Sequence, residues 1–158
     1  MKVVSDTSPI CYLGLIGELD LLPTLYGRIY IPEAVAAELK HPKAPAILRS
    51  WIDSSPEYLE IVRVPSRVSP DLEGLHVGER EAILLAEDLG ASLAILDDRK
   101  AREAALKHGI EVTGLLGLLA QAAERELVSL PDVFERLQQT SFRTTPKFLR
   151  ALLDRHSR

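Results

Sequence analysis

The chain has 158 residues, 46% of them hydrophobic and 27% charged, which suits one folded domain with a single sizeable core. Its formal net charge of −4 argues against broad, non-specific attachment to nucleic acid, which needs a basic face. No apolar run approaches the roughly 20 residues of a membrane helix, and Asp6 comes too early for a signal peptide, so the expected location is the cytoplasm with no membrane partner.

In chain order, residues 2–5 read as the first strand. Asp6 follows directly, then Thr7, Ser8 and Pro9, so Asp6 stands at a strand's carboxyl end where a helix begins. That position also suits a plain helix N-cap, and the two roles are compatible. Cys11, the single cysteine, lies among Ile10, Tyr12 and Leu13 and reads as core packing in a reducing compartment. Residues 28–31 form a second strand, stopped by Pro32, which at a first helical position opens a helix over 32–40. A helix over 44–53 precedes a third strand at 59–64. The stretch from Pro65 to Pro70 is a loop. A helix over 78–89 ends at Gly90, and a helix over 99–108 ends at Gly109. Between them, the fourth strand at 92–96 is nearly continuous in apolar residues, as in a strand covered on both faces. A short fifth strand at 110–113 leads to helices over 114–126, 131–139 and 145–155. This alternation predicts an α/β fold with a parallel five-stranded sheet and helices on both sides. It forms one domain over 1–158, with the C-terminal helices, about 131–155, packed on it. Ligands in such sheets bind beyond the carboxyl ends of the strands.

The acids repay attention in that light. At about 100° per residue, Glu38 projects between Ala34 and Val35, inside the apolar arc of its helix. Glu33 lies outside the arc and suits the helix dipole. In the helix over 78–89, Glu79 falls on the side of the stripe formed by Ala82, Leu85, Ala86 and Leu89, next to Ile83. Glu81 lies on the other edge, so Glu79 is preferred: an inward carboxylate needs a partner. Asp97 and Asp98 follow the fourth strand as Asp6 follows the first, and two adjacent acids cannot both be the cap. If Asp6, Glu38, Glu79 and Asp97 or Asp98 converge, their like charges require a divalent cation, and oxygen-only ligands suit Mg²⁺ or Mn²⁺. The histidines, His41, His76, His108 and His156, are scattered and expected to be mostly exposed.

An open site of this type performs hydrolytic phosphoryl chemistry: the ion activates water for in-line attack on a phosphodiester and stabilises the departing oxygen. No Walker loop is present, because the segment from Gly114 to Gly117 lacks the lysine and the length. Residues 141–158 carry Arg143, Lys147, Arg150, Arg155 and Arg158 against Asp154 alone. That charge is either the solvated face of a terminal helix or a patch that contacts phosphates.

Five segments resemble the PIN-domain nucleases, specifically the VapC-like toxins of type II toxin–antitoxin pairs. They are 3–8, 31–39, 78–83, 93–99 and 109–114, and together they span roughly residues 1–120. The resemblance implies a three-layer α/β/α sandwich and Mg²⁺- or Mn²⁺-dependent cleavage of single-stranded RNA. It also implies a cognate antitoxin and a homodimer. Position by position, it makes Asp6, Glu38 and Glu79 the first three acids and puts the fourth at Asp97 or Asp98, with Asp6, Glu79, Asp97 and Asp98 as the metal ligands. Many relatives carry Asp where this chain has Glu79. Thr7 and Ser8 match positions that support the first acid. Arg99, Lys100, Arg143, Lys147 and Arg150 are the residues expected to meet RNA. The alternatives are a housekeeping RNA-processing PIN nuclease and a non-catalytic PIN domain that binds RNA or protein.

Overall fold

The computed structural model describes residues 1–142. Five strands, β1 (Val3–Ser5), β2 (Ile29–Pro32), β3 (Leu59–Val62), β4 (Leu93–Ile95) and β5 (Val112–Thr113), form one wholly parallel sheet in the order β3-β2-β1-β4-β5. The helices among the described residues are α1 (Thr7–Leu15), α2 (Leu21–Tyr26), α3 (Glu33–Lys40), α4 (Ala46–Asp53), α5 (Val77–Leu89), α6 (Arg99–Lys107), α7 (Leu115–Glu124) and α8 (Leu130–Gln138).

The strands are short, and side chains alternate between two cores. Val3 and Ile95 point into one, built with Ile10, Leu13, Leu39, Leu48, Leu118 and Val133. Val4, Ala94 and Leu96 point into the other, built with Ile83, Leu85, Ala101 and Ala105. Thus α5 and α6 cover one face, and the remaining described helices supply the opposite core. The result is the three-layer α/β/α sandwich that the alternation and the resemblance predict. Each fully buried Leu or Ile contributes about 1.5–3 kcal/mol. Covering both faces lets strands of two to four residues hold together.

Several boundaries differ from the sequence reading. Pro32 does not open a helix. It keeps an extended backbone (φ −74°, ψ 161°), pairs opposite Val62 and serves as the cap before Glu33. Its fixed φ suits either state, and strand pairing decides. β5 is two residues rather than four, because the Ile110 amide turns back to the Ala105 carbonyl around Gly109, whose φ is +76°. α2 has no counterpart in the sequence reading. It spans six residues around Pro23 and ends at Gly27, with a φ of +78°. The expected helix over 145–155 lies outside the described residues.

β1 is central, with β2 on one side and β4 on the other, so successive connections leave it in opposite directions. The crevice between the carboxyl ends of β1 and β4 is therefore the switch point of the sheet. The Asp6 amide donates to the Ile95 carbonyl at 3.1 Å and ties the two strand ends together. Asp6 and Asp97 emerge on either side of that tie.

Candidate active site

Asp6 sits between β1 and α1 and is 5% exposed. Its backbone is extended, as at a cap, but its side chain makes no capping hydrogen bond. Burial pushes its carboxyl up to about 7, the Thr7 amide opposes this, and the charges of Glu79 and Glu38 push it further. The plain-cap reading therefore does not account for it.

Glu38 reaches Asp6 because α5 begins with no side chain in the way. A Cβ at Gly78 would stand 2.6 Å from Glu38 Oε1 and 3.2 Å from Asp6 Oδ1. Glu38 Oε1 is buried without a hydrogen-bond partner among the described residues. Glu79, the next residue along, closes a capping box: its Oε1 accepts from the His76 amide at 3.2 Å, and His76 Nδ1 accepts from the Gly78 amide at 3.4 Å. Burial raises the Glu79 carboxyl, with further contributions from the charges of Asp98 and Glu38. Glu81 lines none of the hollows around Asp6.

The adjacent aspartates part company. Asp97 turns inward: Oδ1 accepts from the Leu115 amide at 2.7 Å, while Oδ2 is buried without a hydrogen-bond partner among the described residues. Burial raises its carboxyl, and the Leu115 amide, the Arg102 guanidinium and the Ser8 hydroxyl oppose that rise. Asp98 is exposed and caps α6, accepting from the Ala101 amide at 3.0 Å.

Two hollows meet at Asp6. A cavity of about 410 Å³ is bounded by Asp6, Thr7, Ser8, Glu38, His76 and Glu79. A groove of about 1090 Å³ runs past Asp6, Ser8, Glu79, Asp97 and Asp98 toward Arg99 and Arg102. Asp6, Ser8 and Glu79 face both. A family model described as a PIN domain matches residues 2–158.

The chain belongs to the PIN-domain family. Searches of curated proteins and of solved structures each returned no match. PIN domains are generally nucleases that depend on divalent metal ions, and the residues of this PIN domain fit such an ion. The donors are carboxylate oxygens, which suit a hard cation. One of them, Asp97 Oδ2, is buried with no hydrogen-bond partner among the described residues, while Glu38 Oε1, likewise without a hydrogen bond, lies 3.3 Å from His76 Nδ1. Gly78 leaves open a space that a Cβ would fill. Among the described residues, no three His, Cys, Asp or Glu side chains are gathered closely enough to form a ready-made ion site.

The other expected residues of this PIN domain divide. Thr7 and Ser8 line the cavity, and Thr7 Oγ1 is buried with no hydrogen-bond partner among the described residues. Arg99 lines the groove and pairs with Glu103 at 3.1 Å. Lys100 borders a different hollow, with Asp71 and Lys107, away from the acids. Arg143, Lys147 and Arg150 lie outside the described residues. No helix among the described residues is long and apolar enough to cross a membrane.

Three site neighbours were missed from the sequence. Cys11 is not simply core: it is half-buried on the cavity wall, and burial, Glu38 and Asp6 raise its thiol. Its place one helical turn beyond Thr7 was the available signal. Arg102 donates to the carbonyls of Leu96 and Asp97 at 3.3 and 2.5 Å, one turn beyond Asp98. His76 was hidden because histidine is not a usual cap residue, although its spacing to Glu79 is that of a capping box. His41 is exposed as expected, but His108 is not: its side chain is 17% exposed and clamped between Asp71 and Glu87.

Proposed function

We propose that this PIN domain is an endoribonuclease that cuts single-stranded RNA with Mg²⁺ or Mn²⁺. The observation that carries the reading is Asp6, buried where cavity and groove meet, with the charges of Glu38 and Glu79 upon it and its carboxyl raised to about 7. Such a group is expensive to ionise alone and is put to use by a cation.

Asp6, Glu79 and Asp97 would hold the ion, and Asp98 is left to cap α6. The ion, when bound, supplies water activation and charge stabilisation for in-line attack on a phosphodiester. The chain's own groups do the rest. Gly78 lets Glu38 approach Asp6. The Leu115 amide and Arg102 fix the peptide and carboxylate of Asp97. Arg99, on the groove wall, would meet a phosphate of the entering strand. The groove opens directly onto the acids, which suits an unpaired strand whose backbone can be threaded past them.

The same reading extends to the toxin of a toxin–antitoxin pair, held in check by a cognate antitoxin and acting as a homodimer, on the strength of the sequence resemblance. The enzymatic core of the proposal is tested by Asp6→Asn. Cleavage of single-stranded RNA with Mg²⁺ or Mn²⁺ should be abolished while the circular dichroism spectrum is kept. Undiminished cleavage would remove Asp6 from the centre of the account.

A further inference from the structure

The cavity beside Asp6 is walled by three carboxylates, and among its described lining residues there is no lysine or arginine. The one nitrogen-bearing side chain there is His76. We propose that His76 takes hold of the substrate phosphodiester, donating from Nε2–H to a non-bridging phosphate oxygen beside the acid cluster. This inference rests on the nuclease reading and names a substrate contact within it.

The inner edge of the ring is occupied. Nδ1 accepts from the Gly78 amide at 3.4 Å and lies 3.3 Å from Glu38 Oε1. One nitrogen cannot accept from the first and donate to the second together. In the capping arrangement Nδ1 is bare, so the ring proton is on Nε2. The outer edge is thus a donor in the arrangement that caps α5.

That donor is also presented and unclaimed. The His76 side chain is 62% exposed although its backbone amide and Nδ1 are both engaged. Among the described residues, no hydrogen bond is made by Nε2. Capping alone does not call for this residue, since Ser, Thr, Asp and Asn cap more effectively. An aspartate here would add a fourth negative charge to the cavity wall, whereas histidine caps the helix and offers an N–H to an anion. A phosphodiester drawn in by an ion at the carboxylates would meet that N–H at the rim.

Two substitutions separate the edges of the ring. His76→Asn keeps an acceptor near the Nδ1 position, and so the cap, but offers nothing at Nε2. His76→Gln sets an amide near the Nε2 position and gives up the cap. Steady-state cleavage of a fluorescent single-stranded RNA with Mn²⁺ is read beside the melting temperature. The Asn variant should melt like wild type and raise KM on the order of 10-fold with little change in kcat. The Gln variant should melt a few degrees lower and recover most of the KM loss. An Asn variant with wild-type KM would make His76 a cap and nothing more. A Gln variant as impaired as the Asn variant would also overturn the assignment. Wild type that cuts no RNA would refute the nuclease reading itself. Wild type that cuts, beside an Asn variant of unchanged KM, would refute this inference alone.

Discussion

Gly78→Ala should leave the fold intact and damage the site. Gly78 is the second residue of α5 and is buried. Its φ is not among the positive values found at Gly17, Gly27, Gly90 and Gly109, so alanine meets no backbone strain. On propensity alone, alanine favours the helix by up to about 1 kcal/mol. The new Cβ, however, would stand 2.6 Å from Glu38 Oε1 and 3.2 Å from Asp6 Oδ1. The first separation is untenable, and the carboxylate must retreat by about half an ångström or more. Glu38 can do so by rotating about its flexible stem, so the folding cost is small. The acid cluster cannot do so without losing its geometry. A misplacement approaching 1 Å costs on the order of 100-fold in rate, so cleavage should fall by about 10- to 100-fold. The assay pairs a thermal melt with single-turnover cleavage of single-stranded RNA. A variant that melts within a few degrees of wild type and cuts at the wild-type rate would refute the reasoning that Glu38 must stand where the structure places it.

Asp97→Asn keeps the oxygen that accepts from Leu115 but removes the charge, and should reduce cleavage by at least about 100-fold. Asp98→Asn keeps a good cap on α6 and should reduce it far less; the reverse order in the same assay would move the fourth acid to Asp98. Asp6 has a folded value of about 7 against an ordinary 3.8. The metal-free native state therefore holds its proton longer, and stability drains away as pH rises from about 4 to 7. Asp6→Asn should remove that penalty, worth about 4 kcal/mol, so metal-free melts should show it stabilising at pH 8 and nearly neutral at pH 4; equal effects at both would contradict this. His108 is clamped by Asp71 at 2.5 Å and Glu87 at 2.6 Å, and hydrogen bonds and charges from both raise it against the opposing effect of burial. Its contribution is full below 6.5 and is lost as pH rises through the folded value, while the lowered Asp71 contributes above 3.8 and loses it on acidification. His108→Gln should therefore lower the melting temperature most between pH 4 and 6.5 and least near pH 9, and a pH-independent loss would contradict the clamp.

The sheet was legible because both its faces are covered. Strands such as 92–96 carry uninterrupted apolar residues, and the helices between them carry stripes. Glu38 and Glu79 could be read as inward from helical geometry alone, and the structure places both beside Asp6. The order of Asp97 and Asp98 could not, because a strand end leaves the next two side chains undetermined until the Leu115 amide captures one of them. Gly78 and His76 were illegible for another reason. Their meaning lies in contacts to α3, some forty residues away in sequence, which no local pattern announces, although the spacing of His76 to Glu79 is that of a capping box. Pro32 shows the limit of propensity, since its φ suits strand and helix alike and pairing with β3 settles the matter.

The central claim is that Asp6 organises a divalent-cation site. Mn²⁺ titration followed by electron paramagnetic resonance, on wild type and Asp6→Asn at pH 7.5, tests it without reference to any substrate. The account predicts saturable binding by wild type and a loss of about 10-fold or more in affinity for the variant. Equal Mn²⁺ affinity in the two proteins, or none in wild type, would contradict it.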